Sequence, residues 1–273
     1  KFENKEYSIK KAKKFFKKLT KSGTLGGAIY SSIHEHALLS AFDFALGDFI
    51  IGNVLMTINS PKYLTQSPED AIKMVKKNAS KFKNRYALTP RFALATDPMT
   101  MKKSSKVIEA FDSFKQSHLS ETKQEINAVL DLYKNYEGFQ DINNYTELYH
   151  KVGMLGEKSI MGHGIHLGVD ELKLLSKTGT SIAHCPTSNA SIRQRGLGSG
   201  LFDFRKIEKH KIKWALASDI GGGPFLSMFD VMRSFVAQNH KEKVYEATYV
   251  KALYHATLAG AEMLKLKSTH GNL

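Results

Sequence analysis

The sequence predicts an α/β fold on a parallel sheet, and three observations lead there. Seven strand-like apolar runs alternate with helix-like segments along the chain, a pattern that parallel strands with crossover helices produce. The 273 residues, 42% of them hydrophobic, suit one large domain, and no linker or low-complexity stretch divides them. No Gly-x-Gly-x-x-Gly or Walker-type lysine loop follows an early strand, which favours a barrel over an open doubly wound sheet of seven strands.

In chain order, Ile9, Ala12, Phe15, Phe16 and Leu19 recur at helical spacing, so the lysine-rich start reads as a helix with one buried stripe. Strands are expected over residues 24–31, 48–56, 85–94, 114–120, 159–167, 180–186 and 213–220. Helices are expected over 67–82, 121–136, 144–152, 169–177 and 202–209. The first of these opens on Ser67-Pro68-Glu69-Asp70, where serine caps and proline suits the first helical position. Residues 188–200, ending in Gly196-Leu197-Gly198-Ser199-Gly200, read as a long loop after a strand, where an α/β barrel places its chemistry. A closed barrel of this type needs eight strands and seven are counted, so the chain is expected to be a portion of a longer protein.

The formal charge of +14 rests on lysine, with arginine only at Arg85, Arg91, Arg193, Arg195, Arg205 and Arg233. Lysines spread over many helices solvate a surface more often than they grip phosphate, so neither a nucleic-acid nor a membrane partner is expected. The single cysteine, Cys185, excludes a disulfide framework and a cysteine-rich metal module, and a reducing cytoplasm is the expected compartment. There is no run of 18 apolar residues and no signal-peptide centre near the start.

Candidate chemistry gathers at strand ends. In a parallel α/β barrel all strand C-termini open on one face, so His118, His163 and Asp219 converge although far apart in sequence. Two imidazoles and a carboxylate suit zinc or iron(II), and such an ion lowers the pKa of water to about 7. Glu121, three residues after His118, is placed to carry a proton; the plainer reading is an acid in the first turn of the next helix. His166 competes with His163, and His184 is expected to contact the metal ligands or the substrate. Cys185 is expected only to pack. Arg91, at the end of an apolar strand, offers a planar fork to a carboxylate, phosphate or heterocycle edge, and Phe92 can stack on a ring. His34 and His36 mimic a metal pair, but the helical pattern that follows sends their rings about 200° apart.

The segments Thr89-Pro-Arg-Phe92, Gln116-Ser-His-Leu-Ser-Glu121, Gly162-His-Gly-Ile-His-Leu167, Ile182-Ala-His-Cys-Pro-Thr-Ser-Asn189, Gly198-Ser-Gly-Leu-Phe-Asp203 and Ser218-Asp-Ile-Gly-Gly-Gly223 stand in one order along the chain. Together they resemble the metal-dependent amidohydrolase superfamily, in its guanine deaminase and related aminohydrolase branch. The resemblance implies a distorted (β/α)8 TIM-type barrel holding one zinc, or iron, through a first-strand His-x-His, His118, His163 and Asp219. It implies Glu121 as proton shuttle with Asp219 beside it, and Arg91 with Phe92 as purine contacts. On the same basis residues 1–273 are an incomplete catalytic barrel, without the first strand and the small β-sandwich formed by the family's termini. Arg193 and Arg195 stand where the resemblance leads one to expect apolar residues. The implied activity is hydrolysis of guanine to xanthine and ammonia, in a homodimer. Alternatives are another flat N-heterocycle (an aminopurine, pterin, nucleoside analogue or chlorotriazine) or a non-catalytic barrel that binds a ligand or RNA.

Overall fold

The computed structural model describes residues 1–271 and has the expected parallel α/β architecture. Helix α1 (Lys5–Lys21) precedes β1 (Gly26–Ser31), and α2 (Glu35–Phe44), β2 (Asp48–Leu55), α3 (Pro68–Phe82), β3 (Ala87–Pro90) and α4 (Pro98–Ile108) follow. Strand β4 (Phe114–Leu119) leads into α5 (Lys123–Tyr133) and α6 (Tyr145–Lys151), β5 (Ser159–His163) into α7 (Val169–Thr178), and β6 (Ser181–His184) into α8 (Pro186–Asn189) and α9 (Phe204–Lys209). Strand β7 (Trp214–Leu216) is followed by α10 (Met228–Lys241), α11 (Tyr249–Ala256) and α12 (Leu258–Met263).

Every strand pairs in parallel with the next in sequence, so the spatial order is β1 to β7 and the sheet curls into an incomplete barrel. Side chains alternate between its faces. In β2, Phe49 and Ile51 join the large core under the helices, while Ile50 turns inward to a smaller cluster with Ala87, Phe114, Ile160 and Ala215. Residue 52 must be glycine, because a Cβ there would run into the Thr89 side chain and the Ala87 carbonyl of β3. Among the described residues β1 and β7 are the two edges, and a cavity of about 1240 Å3 lies between them.

The seven strands stand where the alternation predicts, but several are shorter. Strand β5 ends at His163 instead of running to 167, because His163 and Gly164 take positive φ of 71° and 60° and turn the chain out of the sheet. Strand β3 ends at Pro90, and β7 covers three residues before the chain leaves the sheet. Helices α4, α10, α11 and α12 were not among the expected elements. The first helix buries Phe16 and Leu19 as predicted, whereas Ile9 of the proposed stripe is exposed.

Candidate active site

The parallel register carries the predicted residues to one end of the sheet. His118 shares the inward face of β4 with Phe114 and Gln116. Alternation along β5 would send His163 outward with Met161; its left-handed backbone instead brings the ring to the cavity, where it stacks on His118 at 5.3 Å between centroids and 28° between planes. Asp219, three residues beyond β7, also takes a positive φ, 45°. Its carbonyl accepts the Gly222 and Gly223 amides at 3.0 and 2.6 Å, a tight turn that aims the carboxylate into the same cavity. Non-glycine residues in this backbone region are uncommon and concentrate where function demands a fixed direction.

Glu121 does not cap a helix. It lies one residue before the N-cap Thr122, and the first-turn acid Glu125 forms the capping box and accepts the Glu121 amide at 2.9 Å. The Glu121 side chain turns toward His163, with Oε1 3.5 Å from His163 Nδ1. That oxygen accepts from Asn189 Nδ2 at 3.0 Å and from Ser199 Oγ at 3.1 Å, and Asn189 Nδ2 also lies 3.1 Å from His163 Nδ1. Burial raises the Glu121 pKa against the opposing pull of these hydrogen bonds. Burial, with His163 beside it, lowers His118 to about 4, and burial likewise lowers His163, so both imidazoles are neutral at pH 7.

Arg91 and Phe92 follow β3 on the same side. The Arg91 guanidinium lies 5.0 Å from the Phe92 ring centroid, and Phe92 presents an edge to His118 at 6.4 Å. His118 Nδ1 donates to the Arg91 carbonyl at 2.5 Å, which leaves Nε2 with its lone pair. Three buried tyrosines hold this arm: Tyr145 Oη accepts the Ala93 amide, Tyr133 Oη donates to the Ala93 and Thr96 carbonyls, and Tyr149 Oη donates to the His118 carbonyl.

A nitrogen of His163, the Cys185 sulfur and a carboxylate oxygen of Asp219 all lie within 4.8 Å of one another. The His118 ring stacks on His163 at 5.3 Å, outside this trio, and two neutral imidazoles and a carboxylate are a donor set that suits one divalent ion of the zinc class. Burial, reinforced by Asp219 and Glu121, keeps the Cys185 thiol well above its usual pKa and so protonated.

Other expectations need correction. His184 does not face the cavity: it is buried in the helix layer, stacked on Phe202 at 4.3 Å and 13°, with Trp214 and Phe235 around it. Cys185, expected only to pack, lines the cavity. His166 donates through Nε2 to the Ser199 carbonyl at 2.8 Å and so steadies the loop that carries Ser199. His34 and His36 follow β1 at the start of α2, but His34 is the extended N-cap residue, so the rings stack at 5.5 Å and 12° instead of diverging. His36 Nε2 donates to the Phe2 carbonyl at 2.7 Å. Tyr30, Asn189 and Ser199 carry roles that strand-end reasoning missed; Tyr30 sits on the cavity wall with its ring edge-on to His118 at 5.1 Å.

Known proteins resemble this chain in sequence and in fold. The guanine deaminase of Escherichia coli (strain K12) is 32% identical over 283 residues, covering 99% of this chain and 61% of the relative. That of Mus musculus is 34% identical over 270 residues, 92% of this chain and 56% of its own length. The chain thus spans about three fifths of the relatives it matches. Among solved structures, E. coli guanine deaminase superposes with a TM-score of 0.90 over 99% of this chain and 62% of that one, at 32% identity. Guanine deaminase from C. acetobutylicum with bound guanine in its active site superposes with a TM-score of 0.87 at 28% identity, covering 99% and 65% of the two chains. The profile of the amidohydrolase family matches residues 4–273, and the chain belongs to that family.

Proposed function

We propose that the full protein carrying this chain hydrolyses guanine to xanthine and ammonia. The observation that carries the reading is the cavity lined by His118, His163 and Asp219, with Glu121 fixed 3.5 Å from His163 beside it. The guanine deaminases among the relatives favour this purine over other flat heterocycles. His118, His163 and Asp219 would hold zinc, or iron(II) in the same role, and the bound ion supplies the Lewis acidity that brings the pKa of water to about 7.

The chain's own residues do the remaining work. Arg91 directs its donors at the purine acceptor edge and Phe92 lies against the ring. Glu121, whose pKa burial raises, takes a proton from the attacking water and delivers it to the departing amino nitrogen. Asp219, held by its tight turn, accepts a hydrogen bond from that water and fixes its line of attack.

The test is ammonia release from guanine by the full-length, zinc-loaded protein. Glu121→Gln should abolish turnover while zinc stays bound. Normal turnover in that variant removes Glu121 from the mechanism. Activity on other aminopurines, pterins or chlorotriazines but none on guanine overturns the substrate.

A further inference from the structure

The loop after β6 contributes two polar side chains whose only shared target is the Glu121 carboxylate. Asn189, the last residue of α8, and Ser199, ten residues on, both donate to Oε1, from 68 and 78 residues away in sequence. Asn189 is 1% exposed and Ser199 6%, so neither bond competes with bulk water. The loop itself is tied down: the Leu197 amide donates to the Ser188 carbonyl at 2.7 Å, Gly198 to Ala190 at 2.8 Å, and His166 to Ser199.

A carboxylate with both donors on one oxygen has a preferred division of labour. Oε1 is stabilised as the anionic, accepting atom, and Oε2 is the oxygen left to take and release a proton. Asn189 Nδ2 also lies 3.1 Å from His163 Nδ1, so one side chain touches both the proton carrier and a metal-holding ring. We propose that Asn189 and Ser199 are positioning residues that pin Glu121 through Oε1 and commit Oε2 to proton transfer, with Asn189 also setting His163. This rests on the reading of Glu121 as shuttle.

The experiment uses the full-length protein and two near-isosteric variants. Ser199→Ala removes one donor to a charged group, which predicts a loss in kcat of about tenfold or more with little change in KM. Asn189→Asp removes the other donor and sets a carboxylate against both Glu121 and His163. It should lower kcat by about tenfold or more while raising zinc affinity, read by competition with a chromophoric chelator, because an anion beside the ring strengthens an imidazole ligand. A merely structural role would lower both quantities together.

Ser199→Ala within twofold of the unmodified kcat, or Asn189→Asp losing activity and zinc affinity in parallel, overturns the pin. If the unmodified protein binds zinc but leaves guanine untouched, the proposed reaction falls. The zinc comparison then still decides the Asn189 contact, a rise supporting it and no change or a fall refuting it.

Discussion

Replacing Gly222 by alanine tests how strictly the turn after β7 aims Asp219. A Cβ at 222 would stand 2.6 Å from Asp219 Oδ2 and 3.2 Å from Ser188 Oγ, whereas ordinary contact begins near 3.4 Å, so the carboxylate must retreat by about 0.8 Å. A misplacement of about 1 Å near reacting groups costs on the order of 100-fold in rate. The expected loss in kcat/KM for Gly222→Ala is therefore about 100-fold, or roughly 2.7 kcal/mol of transition-state stabilisation. Stability should change by less, because alanine also reduces the freedom of the unfolded chain by about 0.4–1 kcal/mol. Gly221→Ala is the matched control: its φ of 125° resists a side chain, but nothing lies within 4 Å of the added Cβ. That variant should lose about 1 kcal/mol or more of stability while keeping kcat/KM within a few-fold. The assay is ammonia release by the zinc-loaded full-length protein, with thermal melts alongside. Unaltered kcat/KM in Gly222→Ala, or an equal loss in Gly221→Ala, would refute the claim that contact with Asp219 is what matters.

Three further outcomes are expected. Arg91→Ala should raise KM for guanine by about tenfold or more, with a smaller change in kcat, by removing donors to the purine edge; an unchanged KM would dissociate Arg91 from binding. Tyr133→Phe leaves the buried carbonyls of Ala93 and Thr96 without their shared donor and should cost about 1–3 kcal/mol in denaturant unfolding, so an unaltered midpoint would contradict the clamp. Burial lowers His255 from 6.5 to about 4 and His184 well below 6.5, so the unfolded chain takes up these protons first on acidification. Their contribution to stability is full above about pH 6.5 and is lost as pH falls toward 4. The Tm should drop across that window and drop less in His255→Gln; a flat profile would count against the assignment.

Much of the fold was legible because apolar runs mark parallel strands wherever helices cover the sheet. The convergence of His118, His163 and Asp219 at one end of the sheet followed from the parallel topology. His184 was misplaced for want of a parity check. Ile182 faces the helices, so His184 two residues on must face them too, which leaves Ala183 and Cys185 for the cavity. His163 breaks parity through a left-handed backbone that no non-glycine residue announces in sequence. Asn189 and Ser199 were unreadable for another reason: hydrogen bonds across 68 and 78 residues leave no local pattern. The helices after β7 carry ordinary amphipathic signals of their own.

The tyrosines around Ala93 separate the place where recognition is proposed from the place where it would be governed. Both the amide and the carbonyl of Ala93 are gripped by hydroxyls rooted in α5 and α6, helices on the outside of the sheet. The pose of Arg91 and Phe92 is thus inherited from how those helices seat. Substitutions beneath them, touching no ligand, can retune which flat ring the arm accepts, and a search for altered selectivity should reach that layer as well as the cavity wall.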